Sequence, residues 1–509
     1  MRRGIEACAV VVVACCGVGC YTGRSHDDAG QLTDASPSSS ADGGGDGDAD
    51  GTGGSGGNVP DDPEEAAEHG PLFMARLTRA EYGASIADVL GITVADEDLA
   101  SLPDTEPSPF DNDTESQSSS ATLINGYERL ARQVADAVVA DASTLETLAP
   151  CGAGSDPRDC VEAAVAGLGR RLLRRSLTED EVQAFADLGD GADYPDAVRV
   201  VVTALLQDPE FLFRIEIGEP VDGDDTLRRL GDVELASRLS FLLWGLGPDD
   251  ALLDDAEAGE LSTAEQIVAA AERMLTSPKA RRRIERFYAL WLGYDVLPHE
   301  PNLAAAMRRE SDALIGRMMA EGQPWHAALT ASDTFLTPML AEHYGLPAPD
   351  APEGAWVDYP DATRGGVLSH GSFLALGSKF GDTSPVVRGL EVRERLLCLH
   401  MGPPPPDLEV DVDSPPPGDA TCKVDLYRPM VDQAACAGCH QQLNPVGFGL
   451  ENFDALGRHR LTEPDRPECV IEGVGELPGI GAFSGPAELG GLLATDEQAR
   501  LCAGTQMLR

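Results

Sequence analysis

The sequence predicts a mainly α-helical protein: multi-helical bundle domains followed by a smaller domain of helices and loops. Three observations point there. Apolar residues recur at helical spacing from about residue 77 to 320. Capping residues stand in front of several of these stripes, as in Thr178-Glu179-Asp180-Glu181. Alternating strand patterns are few, and no repeat of solenoid period occurs. The 509 residues give room for roughly three or four domains of about 150 residues each.

Residues 1–20 read as an export signal. Arg2 and Arg3 precede an apolar run from Ala7 to Val13, and small residues continue to Cys20. Gly17-Val18-Gly19-Cys20 is similar to a lipobox, which would make Cys20 the acylated mature N-terminus. Glu6 and Gly17 depart from that pattern, so cleavage without a lipid is the alternative. The apolar run is short for a membrane span. Residues 21–70 form an acidic Gly/Asp/Ser tract that cannot bury enough surface to offset ordering entropy. It is expected to be a disordered tether.

From residue 71 the composition turns helical, and the expected N-terminal helical domain covers 71–150. Leu77 to Tyr82 opens an amphipathic helix with Tyr82, Ile86, Val89 and Leu90 as its stripe. A loop with Pro103, Pro107 and Pro109 leads to a second helix, Ala121 to Ala142. A small helical domain is expected over 151–220, with helices at Val161–Arg175, Thr178–Leu188 and Asp196–Leu206. A central bundle follows over 221–350. Its most apolar helix is Val233–Leu246, and helices at 263–276, 278–294 and 302–320 carry Arg and Glu on their polar faces. Pro338 to Tyr344 adds a short helical turn. A Pro-containing domain spans 351–460 and a C-terminal domain 461–509. Ser384-Pro385 is a good helix start, and that helix is expected to run to His400, where Pro403–Pro406 stop it as a polyproline II spacer.

Charge narrows the partners. With 86 acidic against 38 basic residues the net charge is −48. Nucleic acid and anionic membrane surfaces are therefore not expected as partners, and an exported, solvated surface is favoured.

Cys436-Ala437-Gly438-Cys439-His440 matches the covalent attachment site of one c-type haem. Two thiols one helical turn apart can add to the porphyrin vinyl groups, and His440 then serves as proximal iron ligand. Half of a zinc site is a poorer reading, because matching further ligands are not evident. A redox dithiol lacks the expected strand pattern and does not explain the following His. The other N–H of His440 is expected to bond a backbone carbonyl, and Pro445, Gly447 and Gly449 to form a tight loop at the haem edge. For the distal position His370, His400, Met401, Met430 and His459 are near enough in sequence. Met430 and His370 lead.

Of the twelve cysteines, Cys8, Cys15, Cys16 and Cys20 belong to the signal, and two to the motif. Cys151, Cys160, Cys398, Cys422, Cys469 and Cys502 remain, an even set available for disulfides. Sequence neighbours suggest 151–160, 398–422 and 469–502. Of the fifteen possible pairings only the first has local support, and buried free thiols are the alternative.

No catalytic constellation stands out: there is no Walker loop, Gly-x-Ser-x-Gly elbow or His-Glu-x-x-His motif. Acidic pairs such as Asp249/Asp250 carry no signal in so acidic a chain.

The motif is followed by Asn444-Pro445-Val446-Gly447-Phe448 and by Leu450 to Arg458 (LENFDALGR). Together with Leu77–Tyr82, Arg170–Glu181, Leu206–Glu216, Leu235–Trp244, Leu340–Gly345 and Thr383–Gly389, this order resembles a family of large exported planctomycete and myxobacterial proteins. Those proteins are built of serial domains of unknown function with a cytochrome c-like segment near the C-terminus. The resemblance implies that architecture, and no activity. Asn444 stands where the family commonly has Asp. The family pattern also continues past a segment like Leu501–Arg509, which implies an incomplete last domain. In Thr383–Gly389, Arg388 could hold a haem propionate, but a well-capped helix packed on its neighbour is the preferred reading.

The expectation is thus an exported c-type haem protein, periplasmic or at the cell surface, carrying electrons to or from an unknown redox partner. A haem-dependent oxidative enzyme and a non-enzymatic surface or carbohydrate-binding protein are the alternatives. Aromatic content of 5% argues mildly against a sugar-stacking platform.

Overall fold

A computed structural model describes residues 21–22, 74–103, 110–112, 117–221, 224–379, 382–402 and 421–507. The export signal, its Cys20, nearly all of the acidic tract and Pro403–Pro406 lie outside these residues. The chain is mainly α-helical, and among the described residues strands occur only in short two- and three-stranded pieces.

The first core is built by the helices Arg79–Leu90, Ala121–Ala140, Pro157–Leu173 and Tyr194–Leu205. Thr78 caps the first of them, and Glu81 returns the bond to the Thr78 N–H, so two orphan donors are satisfied at once. Thr178 and Glu181 do the same for the helix Glu179–Asp187. Tyr82 sits at the centre, its ring 5.1 Å from Tyr127 and 5.6 Å from Phe211. This one core joins residues on both sides of the boundary expected at 150. Met74–Arg76 pairs antiparallel with Phe213–Ile215 and closes the unit.

A second core holds the helices Asp232–Trp244, Asp250–Glu257 and Ala264–Leu275 together with the start of Pro278–Trp291. Trp244 is buried there and donates its indole N–H to the Met274 carbonyl at 3.0 Å. The helix Pro301–Ala320 and the ribbon of Asp333–Leu336 with Ala355–Asp358 meet at a separate small cluster of Ala306, Met307, Leu336, Leu340, Ala341 and Tyr344.

The third core crosses the boundaries expected at 350 and 460. It packs Trp291, Leu314 and Ile315 with Val392, Leu396, Val446 and Leu450, and with Leu489, Leu493 and Ala503 of the last two helices, Gly485–Thr495 and Glu497–Met507.

Two sequence expectations are corrected here. The disulfides are Cys151–Cys160, Cys398–Cys502 and Cys422–Cys469, so the neighbours 398/422 and 469/502 exchange partners. The reason is tertiary: the last helix returns across the segment after Leu396, which brings Cys502 to Cys398 over a separation of 104 residues. The helix begun at Pro385 also does not run to His400. It is α-helical to Glu391, forms a π-helical turn over Val392–Leu396, and ends where Cys398 takes a left-handed φ of 52°.

Candidate functional site

Two consecutive helices carry the motif. Lys423–Asp432 starts beside the Cys422–Cys469 bridge, and after Gln433 the chain re-enters a helix, Ala434–Phe448. The Gln433 carbonyl accepts the N–H groups of Cys436 and Ala437 at 2.9 and 2.8 Å, which starts the second helix just ahead of the motif. Cys436, Cys439 and His440 therefore stand at helical positions i, i+3 and i+4 and share one face. Cys436 is half-buried and Cys439 exposed, and both are free thiols. The other six described cysteines are all in disulfides.

His440 Nδ1 lies 3.1 Å from Asn444 Oδ1, one turn further along the same helix. An amide oxygen accepts, so Nδ1 carries the proton and Nε2 keeps its lone pair for a metal. This corrects the expected backbone carbonyl: inside a helix the carbonyls are already bonded, and the i+4 side chain is the acceptor within reach. Asn444 is itself buried, and its Nδ2 has no partner among the described residues.

The expected loop at Pro445, Gly447 and Gly449 is also corrected, because the helix continues through Pro445 and Gly447. Proline removes one helical hydrogen bond, to the carbonyl of Gln441, an exposed residue. Gly447 serves a helix crossing. A Cβ there would lie 1.8 Å from the Pro385 carbonyl oxygen, and one at Gly389 would lie 2.1 Å from that of Leu443. The helices Pro385–Glu391 and Ala434–Phe448 thus run antiparallel with their backbones in contact.

Arg388 holds the same crossing from behind. It is buried, donates to Glu451 at 3.0 Å, and also donates to the carbonyls of Leu450, Phe453, Leu374 and Asp454. Lys423 and Arg460 meet the other Glu451 oxygen at 2.9 and 3.0 Å, where the Thr383 hydroxyl donates at 2.6 Å. Burial raises the Glu451 pKa, but Arg388, Lys423, Thr383 and Arg460 outweigh it and keep the carboxyl below its usual range. Both terminal nitrogens of Arg388 are engaged within the protein, which leaves Thr383–Gly389 its structural role.

His370 is not placed to be a distal ligand. Its ring is fully buried, Nδ1 is 2.9 Å from Ser311 Oγ, and Nε2 is 3.3 Å from Thr334 Oγ1. Burial and the nearby Arg364 push its pKa down to about 3. Both nitrogens are occupied in a network with Glu310, which accepts from Thr334 at 2.7 Å and from Tyr344 at 2.9 Å. Burial pushes the Glu310 carboxyl up to about 7. Sequence reasoning missed this network, although a signal was there. Glu310 and Ser311 occupy the apolar stripe of the helix Pro301–Ala320, between Ala306/Met307 and Leu314/Ile315.

Met430 is half-buried on the helix preceding the motif. That helix packs on the motif helix through Tyr427 against Phe448 and through Gln441 Nε2 donating to the Val431 carbonyl at 3.2 Å. His400 and His459 are exposed, and Met401 is half-buried. Cys422, Glu463 and Cys469 cluster at metal-ligand distance, but the two sulfurs are bonded to each other, so they are not offered to an ion.

Four family profiles match in series, each described as a protein of unknown function. They are PSD3 (DUF1587) over residues 75–140, PSD5 (DUF1595) over 160–216, PSD4 (DUF1592) over 230–346 and PSCyt3 (DUF1588) over 364–463. No curated protein and no solved structure matches the chain. The chain therefore carries four serial domains of these families, and Cys436–His440 falls inside the last of them.

Proposed function

We propose that this chain is an exported c-type haem protein that carries single electrons, with one haem held by Cys436, Cys439 and His440. The observation that carries the reading is the state of the cysteines. Six are paired, while the two on the motif helix stay free, one turn apart, beside an imidazole whose Nε2 is unencumbered. That donor set fits two thioether bonds and one axial nitrogen. A bound haem supplies one-electron chemistry, and the protein supplies its orientation. Asn444 fixes the His440 tautomer, and the Gly389/Gly447 crossing fixes the helix that bears all three residues. The profile name PSCyt3 over this segment agrees with a cytochrome-like reading. Three disulfides suit an oxidising compartment, so we place the protein in the periplasm or at the cell surface, with Cys20 as the lipid-anchored N-terminus.

The test is expression of the full chain in a host with haem-attachment machinery. Haem-specific staining should follow the denatured polypeptide, and the double substitution C436S/C439S should abolish it. A mature wild-type protein with no covalently attached haem would sink the proposal.

A further inference from the structure

Glu310 and His370 are linked by one continuous chain of hydrogen bonds. Ser372 Oγ lies 2.7 Å from Ser311 Oγ, and Ser311 Oγ lies 2.9 Å from His370 Nδ1. His370 Nε2 is 3.3 Å from Thr334 Oγ1, which is 2.7 Å from Glu310 Oε1. All five residues are at most 1% exposed. Glu310, Ser311 and Thr334 belong to the segment matched by PSD4, and His370 and Ser372 to the one matched by PSCyt3, so the chain crosses between them.

The same heavy atoms satisfy every link in two opposite directions. With Glu310 ionised its oxygens only accept. Thr334 then donates to Glu310, His370 Nε2–H to Thr334, Ser311 to His370 Nδ1, and Ser372 to Ser311. With Glu310 protonated on Oε1 each link reverses: the carboxyl donates to Thr334, Thr334 to Nε2, Nδ1–H to Ser311, and Ser311 to Ser372. His370 is neutral in both states and only its tautomer differs. A proton on Oε2 instead would turn the buried Tyr344 hydroxyl hydrogen away from its acceptor. The step balances as a relay. One proton enters at Ser372, each group passes its own proton to the next, and Glu310 gains one.

Few charged or titratable groups face this chain. Arg364 is near both Glu310 and His370, and its guanidinium donates to the Ser369 and Gly457 carbonyls. Tyr344 bonds Glu310, and Tyr359 stands beside Glu310 and Thr334. Burial pushes both tyrosines up, so they keep their protons near neutral pH. Glu310 is left as the group on the chain whose charge changes there.

We propose that this chain is a proton-sensitive switch built into the contact between the two segments: uptake of one proton by Glu310 moves the single ring proton of His370 from Nε2 to Nδ1. The hydroxyls of Ser311 and Ser372 turn with it, so a charge change on one segment is carried to the other without moving the backbone.

The test is the ring ¹⁵N spectrum of His370 in wild-type full-length protein labelled at histidine. His370 is the one fully buried histidine among the described residues, so its ring N–H outlasts the others in D2O and identifies it. With the Glu310 carboxyl pushed up to about 7, Nε2 should carry the proton in about nine molecules of ten at about pH 8, and Nδ1 in nearly all at about pH 5. E310Q and T334V should each hold one tautomer throughout. A wild-type ring that keeps one tautomer over this range, or that takes up a second proton, overturns the switch. So does a folded E310Q or T334V in which the tautomer still changes. The wild-type measurement stands without either variant.

Discussion

Replacing Gly447 with alanine tests whether the motif helix is located by a backbone crossing. A Cβ at this position meets Pro385 at 1.8 Å from its carbonyl oxygen, 2.4 Å from its carbonyl carbon and 2.6 Å from its Cα. Ordinary contact begins at 3.4 Å, so the two helices must part by about 1.6 Å at the crossing. No flexible side-chain end can yield, because the obstacle is backbone. Overpacking of this kind costs about 1–3 kcal/mol, and a backbone clash belongs at the upper end. Against it stands the helix preference of Ala over Gly, up to about 1 kcal/mol. The net expectation for G447A is a loss of about 2 kcal/mol. Gly438 provides the control: it lies in the same helix, and its Cβ would meet nothing within 4 Å. G438A should therefore be neutral or stabilising by up to about 1 kcal/mol. Urea unfolding followed by tryptophan fluorescence reads the difference, since Trp291 is buried in the core that also holds Val446 and Leu450. The reasoning is refuted if G447A is as stable as the wild type, or if G438A loses as much as G447A.

Two further outcomes follow from side-chain geometry. N444D should give His440 Nδ1–H a stronger acceptor, raise the basicity of Nε2 and lower the midpoint potential of the haem-loaded protein; a rise would contradict the role given to Asn444. For Glu310, burial raises the folded pKa to about 7, above the usual 4.5 of a glutamate, so the folded state holds the proton longer and stability is lost as pH rises from 4.5 through 7. E310Q removes that dependence, so between pH 5 and 8 it should gain about 3 kcal/mol on the wild type, whatever its baseline cost. Denaturation midpoints at the two pH values check this, and parallel curves for the two proteins would refute it. Comparison with the variant is needed because His370, pushed down to about 3, contributes in the opposite sense: its stability is lost as pH falls from 6.5 towards 3.

The helices were legible because their causes are local. Thr78 with Glu81, Thr178 with Glu181, and Ser384 with Pro385 each announce a helix within four residues, and apolar stripes at 3.6 spacing say which face is buried. The short ribbons were not legible, since strands of two to six residues are too brief to show alternation.

The sequence by itself determined the mainly helical class and the motif of two cysteines and a histidine on one turn, because both are set by neighbours along the chain. It also favoured the pairing of Cys151 with Cys160, nine positions apart, which the structure forms. Only the tertiary structure decided which distant cysteines meet, as Cys398 with Cys502. It likewise decided that His370 is sealed beside Glu310, and that Arg388 is spent on Glu451. Each of these depends on how helices far apart in sequence cross. That crossing is set by close contacts such as Gly389 on Leu443, which no single segment encodes.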